Sequence, residues 1–403
     1  MIDIERGLEI VQTAAARLKR PDRTPAERVN LADSFDRILR EDIVADADSP
    51  RFDKAIRDGF AVRAADVSTV PAVLRVIGES RAGLAANVDV EPGACCEIMT
   101  GAPLPAGADA VVMVEHTERL TDGSVRILRS VRMGEGLLRR ASESRQGERL
   151  LSPGRRIQLA DVGAMASVGK AEVLVSAKPR VAIVATGDEL VDVDKTPSSG
   201  QIRNSNSYTL YVQARRAGAA PELLGIARDD LPDLREKIRR GLESDILLVS
   251  GGVSMGKYDF VEQVFAEFGV QVLFDKVAMK PGKPTVFGHR GDAFVFGLPG
   301  NPVSTIVAFH MFVRPVILSL LHAESGAKVL QAELETDAKR DPARTAIVPA
   351  FVRFDGRSYR IQTAPWKGSS DLIGLVRANA LVVIPRGEGV MAAGETAEFL
   401  SLE

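Results

Sequence analysis

Residues 181–190 read Val181-Ala182-Ile183-Val184-Ala185-Thr186-Gly187-Asp188-Glu189-Leu190, an apolar run that stops abruptly in small and acidic residues. The same grammar returns twice. Residues 245–254 read Asp245-Ile246-Leu247-Leu248-Val249-Ser250-Gly251-Gly252-Val253-Ser254. Residues 293–304 read Ala293-Phe294-Val295-Phe296-Gly297-Leu298-Pro299-Gly300-Asn301-Pro302-Val303-Ser304. A continuous apolar run without alternation suits a strand buried on both faces. Between these runs 205–217, 231–242 and 260–268 carry helical spacing, and 221–227 offers a further strand. Strands alternating with helices predict an α/β domain over 179–325, a mostly parallel sheet with helices on both faces.

Outward from that block the texture is different. Ile4, Leu8, Val11, Ala15 and Leu18 recur at helical spacing before Pro21 and Pro25 end the pattern. Residues 33–40 predict a second short helix, and 46–59 a charged loop entering a new domain. From 62 to 127 the segments are short and β-like, with strands at 110–115 and 124–128 on either side of the turn Thr121-Asp122-Gly123. A short helix is expected within 151–163. After 325, alternating segments at 328–335, 346–354, 358–363 and 380–385 surround turns at Asp355-Gly356 and Arg386-Gly387. The expected layout is a multidomain α/β plus β chain. Residues 1–50 form a helical part joined with a linker domain at 135–178, 51–134 a small β domain, 179–325 the α/β domain and 326–403 a C-terminal small β-barrel.

Composition narrows the function. The 403 residues hold 52 Lys+Arg against 54 Asp+Glu, a formal net charge of −2. A chain built to coat nucleic acid or an anionic membrane carries excess positive charge. Aromatics make up 5%, too few for a base-stacking surface. Cys95 and Cys96 are the only cysteines and adjoin, so they close no useful loop and read as small buried strand residues. Four histidines, His116, His289, His310 and His322, show no metal-ligand spacing. Residues 304–321 are greasy but carry His310, Arg314 and Pro315, which suits a buried helix better than a membrane span. No signal peptide opens the chain, and the cytoplasm is the expected compartment.

Three loops follow apolar strands on one sheet edge, where open α/β sheets bind ligands. Backbone N–H groups at Ser250-Gly251-Gly252-Val253-Ser254 offer a phosphate cradle; a tight turn is the plainer alternative. Lys276, Lys280 and Lys283 fall in Lys276-Val277-Ala278-Met279-Lys280-Pro281-Gly282-Lys283-Pro284, where two prolines and a glycine predict a rigid turn. Lysines on a rigid turn suit an oxyanion; the spacing is not that of a Walker phosphate loop. The acidic set is Asp58, Asp188, Glu189, Asp229, Asp230 and Asp259. Carboxylates beside a phosphate loop suit a hard cation such as Mg²⁺, although each could equally be a solvated or helix-capping acid, Asp188 in particular. No Cys–His pair is evident, and chemistry by positioning and by a metal fits better than covalent catalysis.

Taken in order, Thr186-Gly187-Asp188-Glu189-Leu190, Gly200-Gln201-Ile202 with Asn204-Ser205-Asn206, Ser250-Gly251-Gly252-Val253-Ser254, Lys280-Pro281-Gly282-Lys283-Pro284 and Gly297-Leu298-Pro299-Gly300-Asn301-Pro302-Val303-Ser304 resemble the molybdopterin molybdenumtransferases. This is the MoeA family, which includes the gephyrin E domain. Asp58-Gly59-Phe60-Ala61 and Ile98-Met99-Thr100-Gly101-Ala102-Pro103 extend the resemblance toward the N-terminus. Ala378-Asn379-Ala380 and Ala393-Gly394-Glu395 extend it to the C-terminal domain.

The resemblance implies an elongated homodimer of four-domain subunits. Its cleft would lie between the α/β domain of one subunit and the N-terminal β domain of the other. It implies adenylylated molybdopterin and molybdate as substrates: molybdate enters the dithiolene, the pyrophosphate bond is hydrolysed, and AMP leaves, with Mg²⁺ as the cofactor. By motif position Glu189, Asp229 and Asp259 would hold the metal. Lys276 and Lys280 would counter developing charge, and Lys280, Lys283 and Ser304 would take molybdate. Thr186, Gly187, Ser250, Gly251, Gly252, Ser254, Pro299, Gly300, Asn301 and Pro302 would bind the organic substrate. Asp58 and Thr100 would come from the partner subunit. A molybdopterin adenylyltransferase and acceptor molybdoenzymes are implied as further partners.

Two departures stand out. Ala55-Ile56-Arg57 replaces the family's usual Ser-Ala-Met before the Asp-Gly pair, and Ala141-Ser142-Glu143 replaces its Gly-Glu-Asp. They leave a second reading, a weakened paralogue acting as a molybdopterin carrier or scaffold for a molybdoenzyme. A lone adenylyltransferase is disfavoured by the flanking domains.

Overall fold

A computed structural model describes residues 1–18, 25–84, 87–228, 230–252, 260–324 and 330–402. At its centre six strands lie in the order Ala220–Ala227, Arg180–Thr186, Ile246–Ser250, Ala293–Leu298, Val286–Arg290, Gln271–Phe274. The first four are mutually parallel. The last two run antiparallel and extend the sheet as a meander. The apolar runs that opened the sequence are therefore the buried middle. The two antiparallel strands were not legible, because Val286–Arg290 starts directly after the lysine turn and reads as its continuation.

Alternate residues of the parallel strands feed opposite layers, as the two-residue period requires. Val181, Ile183, Ile246, Leu248, Phe294 and Phe296 pack under helix Asn206–Ala217 and the long helical stretch Pro302–Leu320. Ala182, Val184, Leu247, Val249 and Val295 pack under Leu231–Gly241 and Val261–Glu267. The Pro302–Leu320 helix is long and apolar enough to cross a membrane, but most of it is buried against the sheet. His310, Arg314 and Pro315 do not interrupt it. Pro315 has no N–H to give the Met311 carbonyl, and just before it the ladder widens to a π turn at Phe309–Val313, closed by Arg314 N–H to the Phe309 carbonyl. The N-terminal helix Ile4–Leu18 lays Ile4, Val11 and Ala15 on this same core beside Phe312 and Val316, so it joins the central layer rather than the linker.

The second helix expected at 33–40 does not form. A single 3₁₀ turn, Leu31–Asp33, gives way through a tight turn with Asp36 at φ +65° to residues in which Ile38 bridges Arg156 and Leu39 bridges Val175. That conformation buries both side chains. In the N-terminal β domain the Thr121–Gly123 turn joins Thr117–Arg119, not 110–115, to Val125–Ile127. Ala110–Met113 pairs instead with Gly59–Val62, which lies beside Ala94–Ile98. The C-terminal strands Leu330–Leu334, Thr345–Phe354, Tyr359–Thr363, Ala380–Ile384 and Thr396–Ser401 close into a five-stranded barrel, because Ala380–Ile384 pairs back onto Thr345–Phe354.

Candidate active site

The chain order reverses between Arg180–Thr186 and Ile246–Ser250: one crossover leads out to Ala220–Ala227, the next returns past it. A crevice opens beyond the carboxyl ends at such a switch point. Thr186–Gly187, Ser250–Gly251 and Pro299–Asn301 all sit there. The Gly251 N–H donates to the Leu298 carbonyl at 3.0 Å, and Gly251 adopts φ +97°. A Cβ on Gly251 would lie 2.4 Å from the Thr186 carbonyl oxygen, so only glycine lets these two loops meet.

Asn206, the first residue of helix Asn206–Ala217, ties the edge together. Its Nδ2 donates to Ser250 Oγ at 3.0 Å and to the Gly300 carbonyl at 2.7 Å. Its Oδ1 is buried and has no hydrogen-bond partner among the described residues. The sequence reading placed Asn206 inside a motif and assigned it no role; a polar residue opening a helix beside a glycine loop was the available signal. Ser250 and Ser304 are 2% and 3% exposed. Ser250 Oγ already accepts from Asn206, so its hydroxyl holds the loop's shape.

The acids divide. The Glu189 carboxylate folds back over Gly187, within 2.2 Å of where a Gly187 Cβ would stand. Asp188 caps no helix: the turn runs on into Leu190–Val191, which pairs with Ile202–Arg203. Asp230 is a helix cap, accepting the Asp233 N–H at 2.8 Å at the start of Leu231–Gly241. Asp229, Ser254 and Asp259 lie outside the described residues, so Glu189 alone of the expected metal ligands is placed.

The lysine turn is rigid, as expected, and held from both sides. Ile2 N–H donates to the Lys276 carbonyl at 3.0 Å and Ala278 N–H to the Ile2 carbonyl at 2.7 Å. On the other side Met279–Lys280 adds in parallel to barrel strand Thr345–Phe354. Inside the turn Thr285 Oγ1 donates to the Gly282 carbonyl at 2.7 Å. Lys276 Nζ lies 3.3 Å from Asp275, and Lys283 is exposed. Lys280 Nζ lies 3.3 Å from Asp341, a barrel residue that also holds Arg344 at 3.0 Å. Burial would raise the Asp341 pKa, but the Ala343 N–H, Arg344 and Lys280 together bring it down to about 2. The barrel reaches the crevice a second time: Asn301 Nδ2 donates to Ser369 Oγ at 2.9 Å, and the Val303 N–H to the Ser369 carbonyl at 3.0 Å. No local pattern in the sequence announced Asp341 or Ser369.

Asp58 and Thr100 meet each other on the N-terminal β domain. Asp58 Oδ1 accepts the Thr100 N–H and hydroxyl, both at 2.7 Å, and these donors hold its carboxyl below the usual range. Both residues are exposed, and the sheet that carries them is separate from the central one. Arg57 is exposed beside Asp58. Glu143 is committed elsewhere, accepting Ser49 Oγ at 2.7 Å. Cys95 and Cys96 are buried strand residues whose thiol pKa values burial pushes up to about 12 and about 11, which makes them inert.

Comparison with known proteins agrees with this architecture. Residues 2–169 match the MoeA N-terminal region (domain I and II), 182–319 a probable molybdopterin binding domain, and 331–402 the MoeA C-terminal region (domain IV). A molybdopterin molybdenumtransferase of Bacillus subtilis is 36% identical over 383 residues, covering 93% of this chain and 89% of its own. One from Nostoc sp. is 35% identical, covering 93% and 88%. A crystal structure of a molybdopterin biosynthesis MoeA protein from Pyrococcus horikoshii superposes with a TM-score of 0.84 at 28% identity, covering 99% of both chains.

Proposed function

The chain belongs to the MoeA family of molybdopterin molybdenumtransferases, and from that membership we propose how its residues work. It acts in molybdenum cofactor biosynthesis as a transferase that takes adenylylated molybdopterin and molybdate, inserts the metal oxide into the dithiolene and releases AMP by hydrolysis of the pyrophosphate bond. The observation that carries this reading is the Asn206 bridge, which locks Ser250 and Gly300 of two loops into one edge at the switch point. Such an edge receives phosphate and a polar heterocycle without rearranging, which is where preorganised donors act most strongly.

In this reading Thr186, Gly187, Ser250, Gly251, Gly252, Ser254, Pro299, Gly300, Asn301 and Pro302 bind the substrate. Lys276 and Lys280 neutralise charge that develops as the phosphoanhydride breaks. Lys280, Lys283 and Ser304 take molybdate, and Lys280 can shift between Asp341 and the dianion. The exposed Glu189 carboxylate over a glycine is a hard oxygen donor of the kind Mg²⁺ selects, with Asp229 and Asp259 as its companions. Bound there, the cation would supply charge neutralisation beside the phosphates. Asp58 and Thr100 act across a homodimer, since their exposed corner needs a partner's crevice to reach substrate. The compartment is the cytoplasm.

The test is AMP release from adenylylated molybdopterin with molybdate and Mg²⁺. Release that depends on molybdate is the expected result. Tight pterin binding with no release under any of these conditions would restore the carrier reading, which the family comparison does not favour.

A further inference from the structure

Between helix Asn206–Ala217, the π turn Phe309–Val313 and the last barrel strand, Thr396–Ser401, lies a groove of about 780 Å³. It is distinct from the crevice: no residue of Thr186–Glu189, Ser250–Gly252 or Pro299–Asn301 lines it. Its size is that of a small-molecule site. Ile306, Phe309, Phe399 and Leu400 form an apolar wall.

The charged side chains that line it share one sign. Arg216 and Arg314 both line the groove, and so do His310 and Gln213. Arg216 spends one N–H on the Leu402 carbonyl at 2.8 Å. The Arg314 guanidinium makes no ion pair or hydrogen bond among the described residues, and no carboxylate side chain among them lines the groove. The Gln213 Nε2 is buried with no acceptor among the described residues. Burial, with Arg156 and Arg216 nearby, lowers the Arg314 pKa; burial, with Arg314 and Arg216 nearby, brings His310 down to about 4. Arg156 faces the cluster too but is paired with Asp36 at 2.8 Å. A half-buried guanidinium and an unpartnered amide with no acid beside them among the described residues are costly unless an acceptor arrives from outside. The π turn that presents His310 is the kind of helix irregularity that collects at binding sites.

We infer that this groove binds a small amphipathic carboxylate, its apolar body along Phe309 and Phe399 and its head on Arg314, Arg216 and the Gln213 amide. The inference stands independently of the molybdopterin reading, and its test uses no turnover.

Titration calorimetry of the full chain with decanoate below its micelle concentration, against decanol as the neutral counterpart, reads it directly. Decanoate should bind once per chain and decanol at least about tenfold more weakly. Arg314→Gln should weaken decanoate about tenfold and leave decanol unchanged. Arg216→Gln, at a more exposed position, should do the same more mildly and stands in if Arg314→Gln fails to fold. Equal affinity for the two probes, indifference to both substitutions, or no binding at millimolar decanoate each overturn the inference. So does binding that appears only after Glu403 is deleted, because the chain's own C-terminus would then be the guest.

Discussion

The crevice at the sheet edge and the Asp58–Thr100 corner are both preorganised, in opposite ways. At the edge the loops hold one another, Gly251 against Thr186 and Asn206 across two loops. At the corner one carboxylate is held by two donors from Thr100 and faces solvent. Ile56, two residues before Asp58, is 42% exposed. The edge draws its described residues from the central sheet, whereas the corner stands apart on a separate sheet. A charged group already fixed in place, with an uncovered apolar side chain close by in the chain, is what one half of a composite site looks like before assembly.

The largest effect should come from breaking the edge. Gly251→Ala forces a Cβ toward the Thr186 carbonyl at a φ that side chains disfavour, a strain of about 1–3 kcal/mol. AMP release should fall at least about 100-fold, since displacement of the loop by a fraction of an ångström misplaces the phosphates. The far-UV dichroism should be unchanged, and the melting point should drop by several degrees.

Breaking the corner should cost less and leave stability alone. Asp58→Asn keeps the shape but removes the charge, and AMP release should drop about 10- to 100-fold with no change in melting point. Mixing the two variants sharpens the comparison. If the cleft is built from two subunits, a heterodimer of Gly251→Ala and Asp58→Asn contains one intact cleft. Activity should then recover to about a quarter of wild type, from half the dimers with one good site each. Persistently inactive mixtures would mean that each chain completes its own site.

What was legible in the sequence follows the same division. The parallel strands and their loops are written locally: an apolar run such as 246–249, then Ser250-Gly251-Gly252, is read without knowing what lies beside it. The lysine turn is equally local, through its prolines and Gly282. What the barrel contributes is not. Asp341 meets Lys280 across 61 positions and Ser369 meets Asn301 across 68, and neither pairing leaves a mark in its own neighbourhood. The same limit explains the failure at 33–40, where apolar spacing resembled a helix but Ile38 and Leu39 found non-local strand partners. It also explains the hairpin assigned to the wrong strand near Thr121.

The Asp341–Lys280 pair offers a smaller, pH-resolved effect. Its folded pKa of about 2 lies below the ordinary 3.8. A carboxylate depressed in this way stabilises the fold above its unfolded pKa, and that contribution is lost as pH falls through the folded value. Melting temperature should therefore decline between about pH 4 and pH 2, and Asp341→Asn should flatten that part of the curve. At pH 7 the variant should bind molybdate no more weakly, because Lys280 is released from its partner; weaker binding would show that Asp341 aims the lysine instead of merely holding it.

The smallest effect belongs to the other link between the N-terminal segment and the barrel. Arg386 pairs with Asp3 at 2.7 Å, and both side chains are about half exposed. An exposed ion pair gains little in high dielectric and loses side-chain freedom, so Arg386→Gln should change stability by under about 0.5 kcal/mol. The urea midpoint at unchanged slope measures it, and whatever effect exists should shrink further in 0.5 M salt. A loss above about 1 kcal/mol, insensitive to salt, would mean that the barrel is docked through this contact. The expectation is otherwise, because the Met279–Lys280 strand addition and the buried Leu375 and Leu381 already join the barrel to the central core without any charge.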